Sequence, residues 1–350
     1  MLKGLRAVAR FCQETIGWNR IGFILSATII TVAVVVLYRA LHNIEVHEVV
    51  DALKATQARH VLAAGGFVAA GYFTLTFYDW FALRAIGRDE IPYRIAALSG
   101  FTSYSVGHNI GATVFTGGAV RYRIYSAYGL DAIEVAKICF IAGLTFWLGN
   151  AAVLGLGITW HPSAASAIDQ LPPWINRCLG VGILLVLASY VGWVWSAPRR
   201  LGRGGWTVQL PNGPTTLLQI GIGILDLACC ALAMYMLLPS EPNIGFVTLA
   251  VIFVTATLLG FASHAPGGLG VFDATMLVAL WEFDKEDLLA GLLLFRLLYY
   301  ITPFMVALVM LGIRETIIYL RAPAKLPPPQ TVDTAGPVRS ELKSRRRKSR

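Results

Sequence analysis

From residue 21 to residue 313 the chain is a succession of apolar runs, 21–37, 60–79, 93–118, 135–160, 178–196, 215–238, 244–280 and 288–313. Most reach the length of about 20 residues that a helix needs to cross a bilayer. Hydrocarbon offers backbone N–H and C=O groups no partner, so a continuous apolar run of this length specifies a helix. With 56% hydrophobic and only 14% charged residues, no stretch is left over to build a soluble core. The expected fold is an all-α, polytopic integral membrane protein with about seven to nine hydrophobic segments.

Two of the runs are broken. The first carries Gly107-His108-Asn109-Ile110-Gly111, then Gly117-Gly118, and ends on Arg121 and Arg123. The second carries Ser263-His264-Ala265-Pro266-Gly267-Gly268-Leu269-Gly270 and ends on Asp273. Backbone that leaves a helix at membrane depth must be buried in protein or line a watery cavity. Paired interruptions in the two halves of a transporter are a sequence pointer to its binding site.

Charge placement orders the runs. Arg84, Arg88, Arg94, Arg121, Arg123, Arg199, Arg200, Arg203, Arg314 and Arg321 favour the cytoplasm, whereas 42–58, 161–176 and 239–243 are balanced or acidic and suit the outside. A single crossing by 93–118 would put Arg199 and everything basic after it outside. That run is therefore expected to form a hairpin that enters and leaves on the cytoplasmic side. Residues 244–282 fit two spans or one hairpin from outside with the same parity, and the shortness of 270–282 favours the hairpin. Two re-entrant elements from opposite faces would make an inverted repeat.

Three parts follow from this reading: a basic cytoplasmic segment at 1–20, a transmembrane domain at 21–315 and a basic cytoplasmic tail at 316–350. No small-residue cleavage pattern follows 21–37, so that run is expected to stay as an anchor. The tail is expected to be disordered; residues 321–350 hold nine Lys and Arg against Asp333 and Glu341, most of the formal charge of +9. Its Arg345-Arg346-Arg347-Lys348 run suits a cytoplasmic membrane face and anionic lipid rather than nucleic acid. Cys12, Cys139, Cys178, Cys229 and Cys230 have no metal or redox spacing, and neither metal nor cofactor is expected.

Ionisable residues inside apolar runs suggest function, because burying a charge is expensive. Arg296 stands in Leu-Leu-Leu-Phe-Arg-Leu-Leu-Tyr-Tyr, with Tyr299 and Tyr300 three and four residues on and Pro303 placed to bend the helix. Asp226, in Gly-Ile-Leu-Asp-Leu-Ala-Cys-Cys, must be protonated or paired, with Arg296 the natural partner. The forks of Arg121 and Arg123 match phosphate oxygens, or else anchor the chain at the cytoplasmic face. Asp79 and Arg84 read as interfacial anchors, His108 and His264 as polar partners for freed backbone, and Asp273 as a cap or ion-pair partner. His-Glu-x-x-His, Gly-x-Ser-x-Gly and Walker-type signatures are all missing.

The patterns Gly107-x-Asn109-x-Gly111 to Gly117-Gly118-x-x-Arg121-x-Arg123, Pro266-Gly267-Gly268-x-Gly270-x-Phe272-Asp273 and Phe295-Arg296-x-x-Tyr299-Tyr300-x-x-Pro303 resemble the lysylphosphatidylglycerol synthase/flippase transmembrane family, the membrane half of the multiple-peptide-resistance proteins. The resemblance covers residues 20–315 and leaves out the synthase half, so it implies a lipid flippase of a bacterial plasma (inner) membrane rather than an enzyme. Arg121, Arg123 and Arg296 are then expected to hold a phosphate, and Asp226 and Asp273 to meet a cationic group or balance the arginines. Asn109, Tyr299 and Tyr300 complete the expected site. The expected partners are membrane lipids, anionic or aminoacylated phospholipids among them, with both termini cytoplasmic. The alternative is a non-catalytic membrane partner that scaffolds a lipid- or glycan-modifying enzyme.

Overall fold

The computed structural model describes residues 56–111, 113–203, 206–239, 241–263 and 266–321. The expected N-terminal segment and anchor, His264 and nearly all of the basic tail lie outside the described residues. The chain is an all-α polytopic membrane protein: five helices among the described residues are long and apolar enough to span a bilayer. These are α1 (Ala58–Ala85), α4 (Ala132–Trp160), α6 (Pro173–Ser196), α7 (Gly213–Leu237) and the continuous stretch Lys285–Ile318. Shorter helices fill the intervals: α2 (Tyr93–Ile110), α3 (Thr113–Tyr125), α5 (Pro162–Asp169), α8 (Phe246–Ala262) and α9 (Val271–Ala279). The last apolar run is α10 (Lys285–Phe295), a π-helical stretch (Arg296–Ile301) and α11 (Thr302–Arg321). A two-stranded antiparallel hairpin, β1 (Arg200–Arg203) and β2 (Trp206–Gln209), joins α6 to α7, a feature the hydropathy pattern does not announce.

The helix starts are written locally. Asp131 and Glu134 form a reciprocal capping box at α4, Asn212 accepts from Thr215 N–H at α7, and Asp284 accepts from the Glu286 and Asp287 N–H groups at α10. Helix α7 lies against both α1 and α4. A Cβ on Gly149 would stand 2.7 Å from Gly223 Cα, so α4 and α7 touch backbone to backbone, the small-residue contact that lets membrane helices pack closely. The described residues up to Leu311 form one compact unit; a second begins at Gly312, and within it Arg314 contacts Glu315 at 2.8 Å.

Both breaks fall where the glycines stand. Helix α2 stops at Gly111, whose φ of +82° lies in the region only glycine adopts without strain, and α3 packs back along α2. Thr116 donates its hydroxyl to the Gly111 carbonyl at 2.9 Å, where the helix ends, and Thr113 adds a second bond, at 3.2 Å, to the Gly107 carbonyl that already accepts from Gly111 N–H. In the second break Gly267, Gly268 and Gly270 all have positive φ, and α9 returns along α8. The start of this arm (Ile244, Thr248) and its end (Ala279, Phe283) line one small recess with Ser163 and Ala164 of α5. Each broken run is thus folded as a helical hairpin.

Candidate functional site

The two breaks meet at the π-helical stretch. Pro303 has no N–H to give the carbonyl of Tyr299, four residues before it, and the Tyr72 hydroxyl from α1 donates there instead at 3.0 Å. The next carbonyl, of Tyr300, accepts from Asn109 Nδ2 of α2 at 3.0 Å, and Thr302 Oγ1 donates to Leu297 O at 2.8 Å. The expected bend at Pro303 is therefore a widened turn whose carbonyls are held by side chains of other helices, a form of irregularity frequent at functional sites. A Cβ on Gly267 would lie 3.7 Å from the Tyr300 ring and 3.9 Å from His108 O, so all three irregular segments converge.

At this junction Arg296 is paired with Asp273, Nε to Oδ1 at 3.1 Å and Nη2 to Oδ2. Asp273 also accepts from Gly270 N–H at 3.2 Å across the first turn of α9, so the break itself orients the carboxylate. The pair keeps an opening, with 13% of the Arg296 and 22% of the Asp273 side chain exposed. The Arg296 guanidinium lies 6.0 Å from the Tyr300 ring centroid. Tyr299 stacks on Phe295 at 5.1 Å and on His108 at 6.2 Å. The buried His108 Nδ1 has no hydrogen-bond partner among the described residues.

A second ion pair lies deeper. Arg121 of α3 donates from Nε and Nη2 to Asp79 Oδ1 at 2.9 and 2.8 Å, and the Tyr125 hydroxyl donates to Asp79 Oδ2 at 2.8 Å. Asp79 is fully buried, correcting its reading as an interfacial anchor: it is the counter-ion that lets Arg121 sit inside the bundle. The Tyr104 ring lies 4.9 Å from the Arg121 guanidinium and makes edge contact with Tyr78 at 5.8 Å. Tyr78 in turn donates to Asp226 Oδ2 at 3.1 Å, and Thr74 donates to Asp226 Oδ1 at 3.2 Å. Through Tyr104 and His108, 5.6 Å apart, this layer joins Tyr299 and the junction.

The structure brings Asn109, Asp273, Arg296, Tyr299 and Tyr300 together. It separates Asp226 from Arg296: the expected pairing gives way to Asp273, while Asp226 is held by hydroxyls of α1. Arg123, half-buried, follows Arg121 by two residues, about 200° around the helix, and faces away from it. Sequence reasoning missed Tyr72, Thr74, Tyr78, Tyr104 and Tyr125. The visible signal was the spacing of Thr74 and Tyr78, four apart on one face of an apolar helix.

No family model matches the chain. It is 28% identical to the uncharacterized protein slr0712 of Synechocystis over 80% of this chain and 87% of that protein. It is 28% identical to the inner membrane protein YbhN of Escherichia coli, over 71% of this chain and 78% of the other. It is also 27% identical to the phosphatidylglycerol lysyltransferase of Staphylococcus aureus over 83% of this chain, which spans only 34% of that protein's length. These likenesses bear out the resemblance read from the motifs: the chain is a multi-pass membrane protein related to the membrane region of the phosphatidylglycerol lysyltransferases.

Proposed function

We propose that this chain moves the polar headgroup of a phospholipid between leaflets along the seam where the two broken hairpins meet the π-helical stretch, while the acyl tails stay in the bilayer. The observation that carries the reading is the partly open Arg296–Asp273 pair, placed where three irregular segments converge. A headgroup at the bilayer centre costs several kcal/mol unless polar groups replace its water. A phosphate can take the Asp273 carboxylate's place on the Arg296 fork. The released Asp273 then meets a cationic part of the headgroup. Asn109 and Tyr72 hold the carbonyls of Tyr300 and Tyr299 in the widened turn that presents Arg296. Arg121, whose fork is occupied by Asp79, serves the passage as its fixed wall.

In this reading the arginine-rich helix ends face the cytoplasm, α2–α3 is re-entrant from that side, and α8–α9 is re-entrant from the other. Cysteines placed at the exposed Ser126 and Glu282 are expected to label from inside and outside respectively; labelling of both from one side would refute the topology. The function is tested by leaflet exchange of fluorescent phosphatidylglycerol, its lysyl form and a neutral phospholipid in proteoliposomes. Exchange that depends on the headgroup and is lost in Arg296→Ala is the expected result. Exchange unaltered by that substitution removes the residue from the mechanism, and no exchange of any of the three lipids defeats the reading.

A further inference from the structure

Away from the junction, the end of α1, the start of α4, the β1–β2 hairpin and the start of α7 border an open cavity of about 740 Å³. That volume lies within the range of small-molecule pockets, roughly 300–1,000 Å³. Three cationic residues line it, Arg84, Lys137 and Arg200, and no carboxylate does. None of the three makes an ion pair among the described residues. Glu134, one turn before Lys137, is engaged by Arg88 Nε and Nη2 at 2.8 and 3.0 Å and lies outside the lining. Three like charges gathered around one concavity, only Lys137 of them near a carboxylate (Glu134) among the described residues, favour entry of an anion, and the concavity focuses their field.

The rest of the wall adds to the same chemistry. Thr207 and the amide NH2 of Asn212 can donate hydrogen bonds, and α7, whose first turn is capped by the Asn212 side-chain oxygen, adds the field of its positive dipole end at this wall. The Arg84 guanidinium lies 4.0 Å from the Trp80 ring centroid, which holds the cation at the rim. Leu218, half exposed, continues the lining onto the apolar flank of α7.

We infer that this cavity is a second binding site, separate from the junction, for a phosphate-bearing anion: a phospholipid headgroup whose tail runs along Leu218, or a soluble phosphate ester. The test measures equilibrium binding to the full chain in neutral detergent, at fixed ionic strength, of three probes: short-chain phosphatidylglycerol, short-chain phosphatidylcholine and glycerol phosphate. The double variant Lys137→Gln, Arg200→Gln is expected to weaken binding of the anionic probe at least tenfold, while Lys137→Arg, Arg200→Lys retains it. Charge-dependent binding of phosphatidylglycerol alone identifies a lipid headgroup; charge-dependent binding of glycerol phosphate as well identifies a site that takes soluble phosphate esters. Equal binding of phosphatidylcholine, or anionic binding unaltered when the neutral double variant is combined with Arg296→Ala to silence the junction, overturns the inference. Because the readout is binding in detergent, its failure leaves the leaflet-exchange reading untouched.

Discussion

Among the described residues two arginine–aspartate pairs sit inside this bundle, and they differ in what surrounds them. Asp79–Arg121 is closed: the side chains are 0% and 4% exposed, a tyrosine hydroxyl takes a further carboxylate lone pair, and an aromatic ring neighbours the guanidinium. Arg296–Asp273 is open by 13% and 22%, and its arginine stands on a π-helical turn rather than a regular helix. The same two residue types thus make a fixed strut in one place and an exchangeable contact in the other. A closed, buried pair leaves a ligand no access to its charges; a partly solvated one can trade its carboxylate for a phosphate.

The comparison breaks most visibly at the closed pair. Asp79→Ala strands the Arg121 charge, with an expected loss of about 3–5 kcal/mol seen as a steep fall in detergent thermal stability and in yield. Replacing both residues with apolar ones, Asp79→Leu with Arg121→Met, is expected to recover most of that loss. If the single variant melts like the wild type, the strut reading is wrong. Tyr125→Phe removes one hydrogen bond to the Asp79 carboxylate and is expected to cost about 1.5 kcal/mol, with leaflet exchange retained.

The open pair is expected to behave in the opposite sense. Asp273→Asn should lower exchange of a cationic-headgroup lipid about tenfold, a barrier change of roughly 1.4 kcal/mol, while the melting temperature stays close to that of the wild type. Equal losses of stability and exchange would make this pair a second strut. The smallest effect belongs to Arg88→Ala, which removes an exposed contact to Glu90 and a half-buried one to Glu134 at the bundle surface. A slight fall in melting temperature at low salt that vanishes at high salt is the expected outcome.

Much of the frame was legible in the chain. The run 135–160 became Ala132–Trp160, 215–238 became Gly213–Leu237, and the breaks fell at Gly111 and at Gly267–Gly270. Hydropathy and glycine placement are local, so each can be read without knowing the neighbours. The partners could not. Arg296 had two candidate carboxylates, and the choice of Asp273 depends on α9 folding back to the π-helical stretch. Asp79 looked like an anchor because it lies near the end of an apolar run, and only the packing of α3 against α1 buries it.

By itself the sequence determined that this chain lies in a membrane as helices, that two of its runs are interrupted, and that arginines and aspartates stand inside them. Those properties follow from the cost of taking unpaired backbone and charge into hydrocarbon, which each segment meets on its own. The tertiary structure decided which charge meets which, and which pair stays open. A carboxylate's partner is set by helix rotation and hairpin return in three dimensions. Pro303 announced a missing N–H, but that Tyr72 and Asn109 would hold the carbonyls of the widened turn depends on where α1 and α2 come to rest.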